Sequence, residues 1–381
     1  NVPGEGTPYD ATRISILKQI ANKIWVTNPN AYVILEHFCD NLEEGELSNN
    51  GMMIWGNISH SFGESTMGWV STSDFSSISY KNRSWTTPGL VGYMESHDEE
   101  RLMFKNKTFG NSTNASYNVK DIPIGLKRNE LAALFFFTVP GPKMVWQFGE
   151  LGYDISIDQN GRVGRKPIHW DYVQDYNRRH LLSTYAQLIN LKKEYSVFET
   201  NDFTTSFSGA KKWIKLNSTD MNAIAMGNFD VQNATFTLDF PNSGRWYEYF
   251  SQDSVELAST SFSSPFTPGE YRLYTTKRII KEAIFLGIDN KPELDIISEF
   301  VLWPNPSNGI FNVNLNLNNP QKVNISIYSI IGQKIYNSDF NHLSTGINTL
   351  DIQMPSNITP GVYICRIISG NAILSKKIIV E

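Results

Sequence analysis

Two short stretches place acid–base chemistry directly behind apolar runs. Tyr32-Val33-Ile34-Leu35 leads into Glu36-His37, and Leu90-Val91-Gly92-Tyr93-Met94 leads into Glu95-Ser96-His97-Asp98-Glu99-Glu100-Arg101. A carboxylate just past an apolar strand is poorly solvated and can carry a raised pKa, as a general acid requires. Two carboxylates around one cleft are the machinery of glycoside cleavage, so Glu36 and Asp98 are the candidate catalytic pair. Each also has an ordinary structural use. Glu36 could cap the following helix or pair with a lysine; Asp98 could N-cap the helix behind it, with Arg101 as a local ion-pair partner. His97 alone is more often a hydrogen-bonded structural histidine, and Glu99 and Glu100 suit a solvated helix start. Trp55, Trp69, Trp85 and Trp146 could be sugar platforms, although core burial is the commoner fate of tryptophan. His60, His169 and His180 have no ligand spacing, and no metal is assigned to them.

The elements around these residues point to an α/β region followed by all-β regions. Ile14, Leu17, Ile20, Ala21 and Ile24 form one helical stripe over Arg13–Trp25, with Asp10 as N-cap and Asn28-Pro29 as the stop. Tyr32–Leu35, Met52–Trp55, Leu90–Met94 and Lys143–Phe148 read as short, continuous apolar strands, and Lys127–Phe137 as one of the helices between them. Strands of this kind are buried on both faces, which implies a parallel sheet with helices outside. In such sheets the site lies at the carboxyl ends of the strands. Near residue 195 the texture changes to an antiparallel β domain. Its strands run over Lys212–Leu216, Ala223–Phe229, Thr235–Phe240 and Arg245–Phe250, and it ends near Thr276. Residues 278–300 read as a linker. Residues 301–381 alternate polar and apolar positions, as in Phe311-Asn312-Val313-Asn314-Leu315, and predict a β-sandwich of about seven strands.

Composition agrees with several domains. The chain has 381 residues, 40% hydrophobic and 13% aromatic, with a net charge of −5. At roughly 150 residues per domain that is two or three. The charge balance offers no broad basic surface for nucleic acid, and few charges with many aromatics exclude a disordered chain. Cys39 and Cys365, the 2 cysteines, are expected to be free thiols, since so few exclude a disulfide framework. No apolar run reaches the roughly 18 residues of a membrane span. The sequence opens at Asn1 without a methionine or signal peptide, which suggests a removed segment or a piece of something longer.

At the residues quoted first, the sequence resembles the α-amylase family of retaining glycoside hydrolases, which use a (β/α)8 barrel. Ile34-Leu35-Glu36-His37 is similar to the family motif after the fifth strand, and Gly92-Tyr93-Met94-Glu95-Ser96-His97-Asp98 to that after the seventh. Pro140-Gly141-Pro142-Lys143-Met144-Val145-Trp146-Gln147-Phe148-Gly149-Glu150 is similar to the eighth-strand motif. Pro268-Gly269-Glu270-Tyr271-Arg272-Leu273-Tyr274 resembles the end of the family's all-β domain. The resemblance implies that residues 1–195 are the C-terminal half of a TIM barrel, strands five to eight, and that 196–277 are the β domain after it. It implies Glu36 as general acid/base, Asp98 as transition-state stabiliser, and His97 and His37 as substrate-binding residues acting on an α-glucan such as starch or glycogen. Ser96 stands where the family pattern usually has asparagine, and Ser96-His97-Asp98-Glu99 is closer to the glucan branching enzymes, so transfer is the alternative to hydrolysis. The fourth-strand Gly-Phe-Arg-x-Asp motif with the nucleophile has no counterpart here. Retaining cleavage by this chain alone is therefore expected to be negligible, and a non-catalytic glucan-binding surface protein is a further alternative. No cofactor is implied; calcium stays open, because the family's usual ligands lie largely in the part without counterpart.

The last segment resembles the type A sorting domain of the type IX secretion system of Bacteroidetes. The residues that carry this are Trp303-Pro304-Asn305-Pro306-Ser307-Asn308-Gly309, Ile331-Gly332-Gln333-Lys334, Gly361-Val362-Tyr363 and Lys376-Lys377-Ile378-Ile379-Val380. The resemblance implies the type IX machinery as partner, translocation across the outer membrane, and release or surface attachment. A generic carbohydrate-binding sandwich is the alternative.

Overall fold

The computed structural model describes residues 7–281, 297–329, 333–369 and 372–381. The chain divides into two compact units, Asn1–Ile284 and Phe285–Glu381.

The first unit opens with helix α1 (Ala11–Thr27), and Asp10 caps it as expected, accepting from the Thr12 and Arg13 backbone N–H groups. Four parallel strands follow: β1 (Ile34–Leu35), β2 (Met53–Asn57), β3 (Leu90–Tyr93) and β4 (Lys143–Met144), in spatial order β1-β2-β3-β4. β1, β3 and β4 are shorter than the apolar runs predicted, whereas β2 runs on to Asn57. α2 (Asn41–Asn49) and α3 (Ser59–Met67) follow the first two strands; α4 (Leu102–Phe109) and α5 (Ile122–Thr138) follow the third. α6 (Tyr176–Glu194) packs on α5.

α5 is buried nearly throughout its second half, from Arg128 to Thr138. One side meets the helical layer and the other meets a second sheet. That sheet comes from β5 (Asp202–Ser206), β6 (Lys211–Asn217), β7 (Ala223–Asn228), β8 (Ala234–Asp239), β9 (Gly244–Glu248), β10 (Ser254–Leu257), β11 (Ser261–Phe266) and β12 (Tyr271–Thr275). Six of them form one antiparallel sheet, β10-β9-β12-β7-β6-β5, and β11 pairs with β8 beside it. Sequence reading found four of these strands and missed β5, β10, β11 and β12 as separate pieces. β10 alternates but is only four residues long, and β5 and β11 carry one and two large apolar residues, too few for a period to show.

Two expectations are corrected. Of the α1 stripe, Ile14 and Ala21 are buried, but Ile20 and Ile24 are 52% and 40% exposed. Asp98 does not cap α4, whose N-cap position is Arg101.

The second unit is a sandwich of seven strands among the described residues. β13 (Ile297–Trp303), β14 (Ile310–Leu317) and β17 (Gly346–Gln353) form one sheet; β16 (Lys334–Leu343), β15 (Gln321–Ser329), β18 (Gly361–Ser369) and β19 (Ala372–Val380) form the other. Phe311, Val313 and Leu315 from one sheet share a core with Ile325, Ile327, Cys365 and Ile367 from the other. This is the period-2 pattern seen in the sequence. The motif that opens the segment meets the one that closes it: Asn305 Nδ2 donates to the Lys377 carbonyl at 2.7 Å, and Ile379 N–H donates to Asn305 Oδ1 at 2.9 Å. Ile331 and Gly332, and most of the expected linker (282–296), lie outside the described residues. Among the described residues, no helix is long and apolar enough to cross a membrane. Cys39 and Cys365 are free thiols.

Candidate active site

The carboxyl ends of all four parallel strands contribute to one place. Glu36 follows β1 directly, Asn57 ends β2, Ser96-His97-Asp98-Glu99 follow β3, and Trp146 lies just past β4. Glu36, His97 and Asp98 are exposed, and their ligand atoms all lie within 4.8 Å of one another, although Glu36 and Asp98 are far apart in sequence. His97 Nε2 stands 3.2 Å from Asp98 Oδ2, so the partner of Asp98 is His97 and not the expected Arg101. The His97 ring lies beside the half-buried Trp146, centroids 6.0 Å apart.

The loop that presents Asp98 is tied down from several directions. Ser96 Oγ donates to Glu99 and accepts the Asp98 N–H at 3.1 Å. Asn57 Nδ2 donates to Glu99 Oε1 at 2.6 Å. Glu95 is buried; its Oε1 accepts the Leu102 N–H at 2.7 Å, which anchors the start of α4. Burial raises the Glu95 pKa, against the opposing pull of Arg101 and the Leu102 N–H. The poorly solvated carboxylate expected past an apolar strand is therefore Glu95, a structural residue, whereas Glu36 and Asp98 face solvent. Glu100 is no solvated helix start. It accepts from the Arg101 and Ile157 N–H groups and from Ser156 Oγ, and so latches the loop from residue 156 to 167 onto the site. Arg162 on that loop donates to the Asp98 carbonyl.

His37 is not part of the cluster. It is buried, and its Nε2 lies 2.7 Å from Glu43 Oε1. Successive residues of an extended segment point to opposite sides, so Glu36 outward puts His37 inward. His37, Cys39 and Glu43 are close enough to ligate a metal, as are Glu36, His97 and Asp98. In the former set Arg13 already donates twice to Glu43, at 2.6 Å each, and that cation opposes another. Of the four tryptophans weighed as platforms, Trp85 is core and Trp146 lines the site. Asn57 escaped sequence reading, though it obeys the rule that found Glu36: a polar residue closing an apolar strand. Arg162 sits in an irregular loop and gives no such signal.

Residues 301–381 match the family model described as "Secretion system C-terminal sorting domain". The chain carries a sorting domain of the type IX route, which directs it to secretion, at the cell surface or in the extracellular space. No curated protein sequence matches the chain. Among solved structures it is similar to an α-amylase from Geobacillus thermoleovorans complexed with acarbose, at 14% identity and TM-score 0.54, covering 71% of this chain and 59% of that one. It is similar to CldA, a cyclomaltodextrin glucanotransferase with a three-domain ABC distribution, at 12% identity and TM-score 0.54, covering 72% and 57%. A cyclomaltodextrinase matches at 15% identity and TM-score 0.50, covering 71% and 45%. The chain thus spans less than two thirds of the length of these proteins. At such identities the likeness is one of fold: the chain shares a mixed α/β fold with α-amylase family structures.

Proposed function

We propose that the chain is part of a secreted retaining glycosidase of the α-amylase type that cleaves α-glucosidic bonds in a glucan. The observation that carries this is the convergence of Glu36, His97 and Asp98 within 4.8 Å at neighbouring strand ends. Glu36 would protonate the glycosidic oxygen as it leaves, and later take a proton from the attacking water. Asp98 would hydrogen-bond ring hydroxyls more tightly as the oxocarbenium ion develops. His97, held by Asp98, would bind a hydroxyl of the same sugar, with Trp146 beside it.

Retaining chemistry also needs a carboxylate nucleophile. Among the described residues no third carboxylate joins the cluster. In this reading β1–β4 are strands five to eight of a (β/α)8 barrel, and the nucleophile would come from a strand paired to the open edge of β1. The exposed α1 positions Ile16, Ile20 and Ile24 support that, because they give a barrel neighbour an apolar face to cover. Ser96, whose hydroxyl organises the Asp98 loop, keeps branching-type glycosyl transfer as the second reading.

Two measurements test this. Reading the coding DNA upstream of Asn1 is expected to show an open frame running into a strand-ending Gly-Phe-Arg-x-Asp motif; a start codon there instead would overturn the barrel reading. In the product of that frame, Glu36→Gln is expected to lower turnover of maltoheptaose by roughly 10²–10⁴-fold while binding persists. Undiminished turnover would remove Glu36 from the acid role. Product analysis separates shortened chains from newly α-1,6-branched ones.

A further inference from the structure

The cavity against Asp98 has a cationic end. It encloses about 360 Å³ and is lined by His97, Asp98 and Trp146 on the side of the candidate site, and by Arg101, Arg162, Arg165 and Lys166 beyond them. Four cations thus face one carboxylate in a chain whose net charge is −5. Two of the four are engaged. Lys166 Nζ donates to the carbonyls of Gln159, Gly161, Arg162 and Gly164, which closes the loop on itself, and Arg162 holds the Asp98 carbonyl.

The other two are not. Arg165 is exposed; its backbone carbonyl accepts from Asn160 Nδ2, but its guanidinium makes no hydrogen bond or ion pair among the described residues. Arg101 is 3% exposed, and its Nη1 has no hydrogen-bond partner. Its guanidinium is held between the rings of Trp146 and Tyr153, 5.7 and 5.1 Å from their centroids. Glu95, Glu100 and Glu150 lie near enough to act on it through space, but none forms an ion pair with it; Glu95 and Glu100 are occupied by backbone N–H groups. A buried guanidinium N–H without an acceptor costs free energy that a bound acceptor recovers. A sugar hydroxyl could accept from that N–H, but an oxyanion accepts more strongly and matches the geometry of the guanidinium fork.

We propose that this cavity takes a saccharide carrying an oxyanion substituent, a phosphate monoester or a carboxylate. The anion sits on Arg101 and Arg165, and the ring it decorates lies towards Trp146 and Asp98. The inference rests on the glucan reading above and narrows its substrate class.

Calorimetric titration of the full chain with maltose, maltose 6-phosphate, a glucuronosyl-glucose disaccharide and inorganic phosphate tests it. One or both anionic sugars are expected to bind roughly tenfold more tightly than maltose, and the one that does names the oxyanion. Added salt should erode that preference, and Arg165→Ala should cut it by about tenfold. Arg165 is exposed, so a near-UV spectrum equal to the parent's will show that the fold is intact. Equal binding of charged and neutral sugars would overturn this inference and leave the glucan reading standing. Inorganic phosphate binding as tightly as maltose 6-phosphate would reduce the cavity to a bare anion site and overturn it too. Binding of no sugar at all would overturn both.

Discussion

Glu43 has no solvent exposure, yet it sits at the base of the segment that carries Glu36. Burial by itself would raise its pKa. The hydrogen bonds from Arg13, then His37 and the Asp10 backbone, outweigh burial and hold it at about 2. A carboxylate whose pKa is depressed on folding contributes stability that is complete above its ordinary value of 4.5 and is lost as pH falls towards 2. Glu43→Gln is therefore expected to cost about 1.5–3 kcal/mol at neutral pH, because a neutral amide replaces the buried carboxylate that Arg13, His37 and the Asp10 N–H hold. Thermal melts from pH 7 downward should show the gap between parent and variant narrowing below pH 4.5 and closing near 2; a gap independent of pH would mean that Glu43 acts by shape alone. The same residue scale shows how far a strand-end rule reaches. It picks out Glu36 and Asp98 because parallel strands must deliver their ends to one side. It does not tell outward from inward, which is why His37 and Glu95 proved to be buried supports: that choice depends on the pleat phase at the strand end, and the apolar runs are too uniform to reveal it.

α5 shows what periodicity leaves unsaid at the level of elements. Its apolar run was visible, but not that it has a sheet on one side and helices on the other. The contact with the antiparallel sheet is made at Gly227 on β7, where a Cβ would overlap Leu131 and stand 2.9 Å from Phe135 Cε2. Leu131 and Phe135 are fully buried, so neither can give way cheaply. Gly227→Val is expected to cost about 1–3 kcal/mol through overpacking, read as a lower denaturation midpoint with an unchanged slope. No loss of stability would show that the helix can slide on the sheet. α1 teaches the converse. Its period groups Ile20 and Ile24 with Ile14, yet Ile14 is buried and the other two are exposed: a stripe marks apolar positions and not what covers them. The sandwich strands were the easiest to read. In β14 every second residue is buried, and one buried face with one solvated face is what an alternating sequence encodes.

At the scale of the whole molecule, the parallel-sheet region and the antiparallel sheet belong to one compact unit, although their sequences differ in texture. The reason lies in shared aromatics. Phe75, from the segment between α3 and β3, stacks on Phe62 of α3 at 4.5 Å between centroids and meets Phe207 at 4.8 Å and Phe229 at 5.7 Å. Phe135 of α5 touches the same two rings, at 5.9 and 5.3 Å. Arg128 of α5 donates at once to the Thr66 and Ser65 carbonyls at the end of α3 and to the Phe229 carbonyl beyond β7, spanning the two layers with one buried guanidinium. Cutting the chain near residue 195 would strip Phe207 and Phe229 from this cluster, at roughly 1.5–3 kcal/mol for each buried ring. It would also leave Arg128 without one of its acceptors. Residues 7–281 are therefore expected to melt in one cooperative transition, whereas residues 7–195 should give a broad one, with lost near-UV dichroism and dye-binding apolar surface. A sharp transition for the shorter piece would mean that the parallel-sheet region folds independently and that the antiparallel sheet only leans on it.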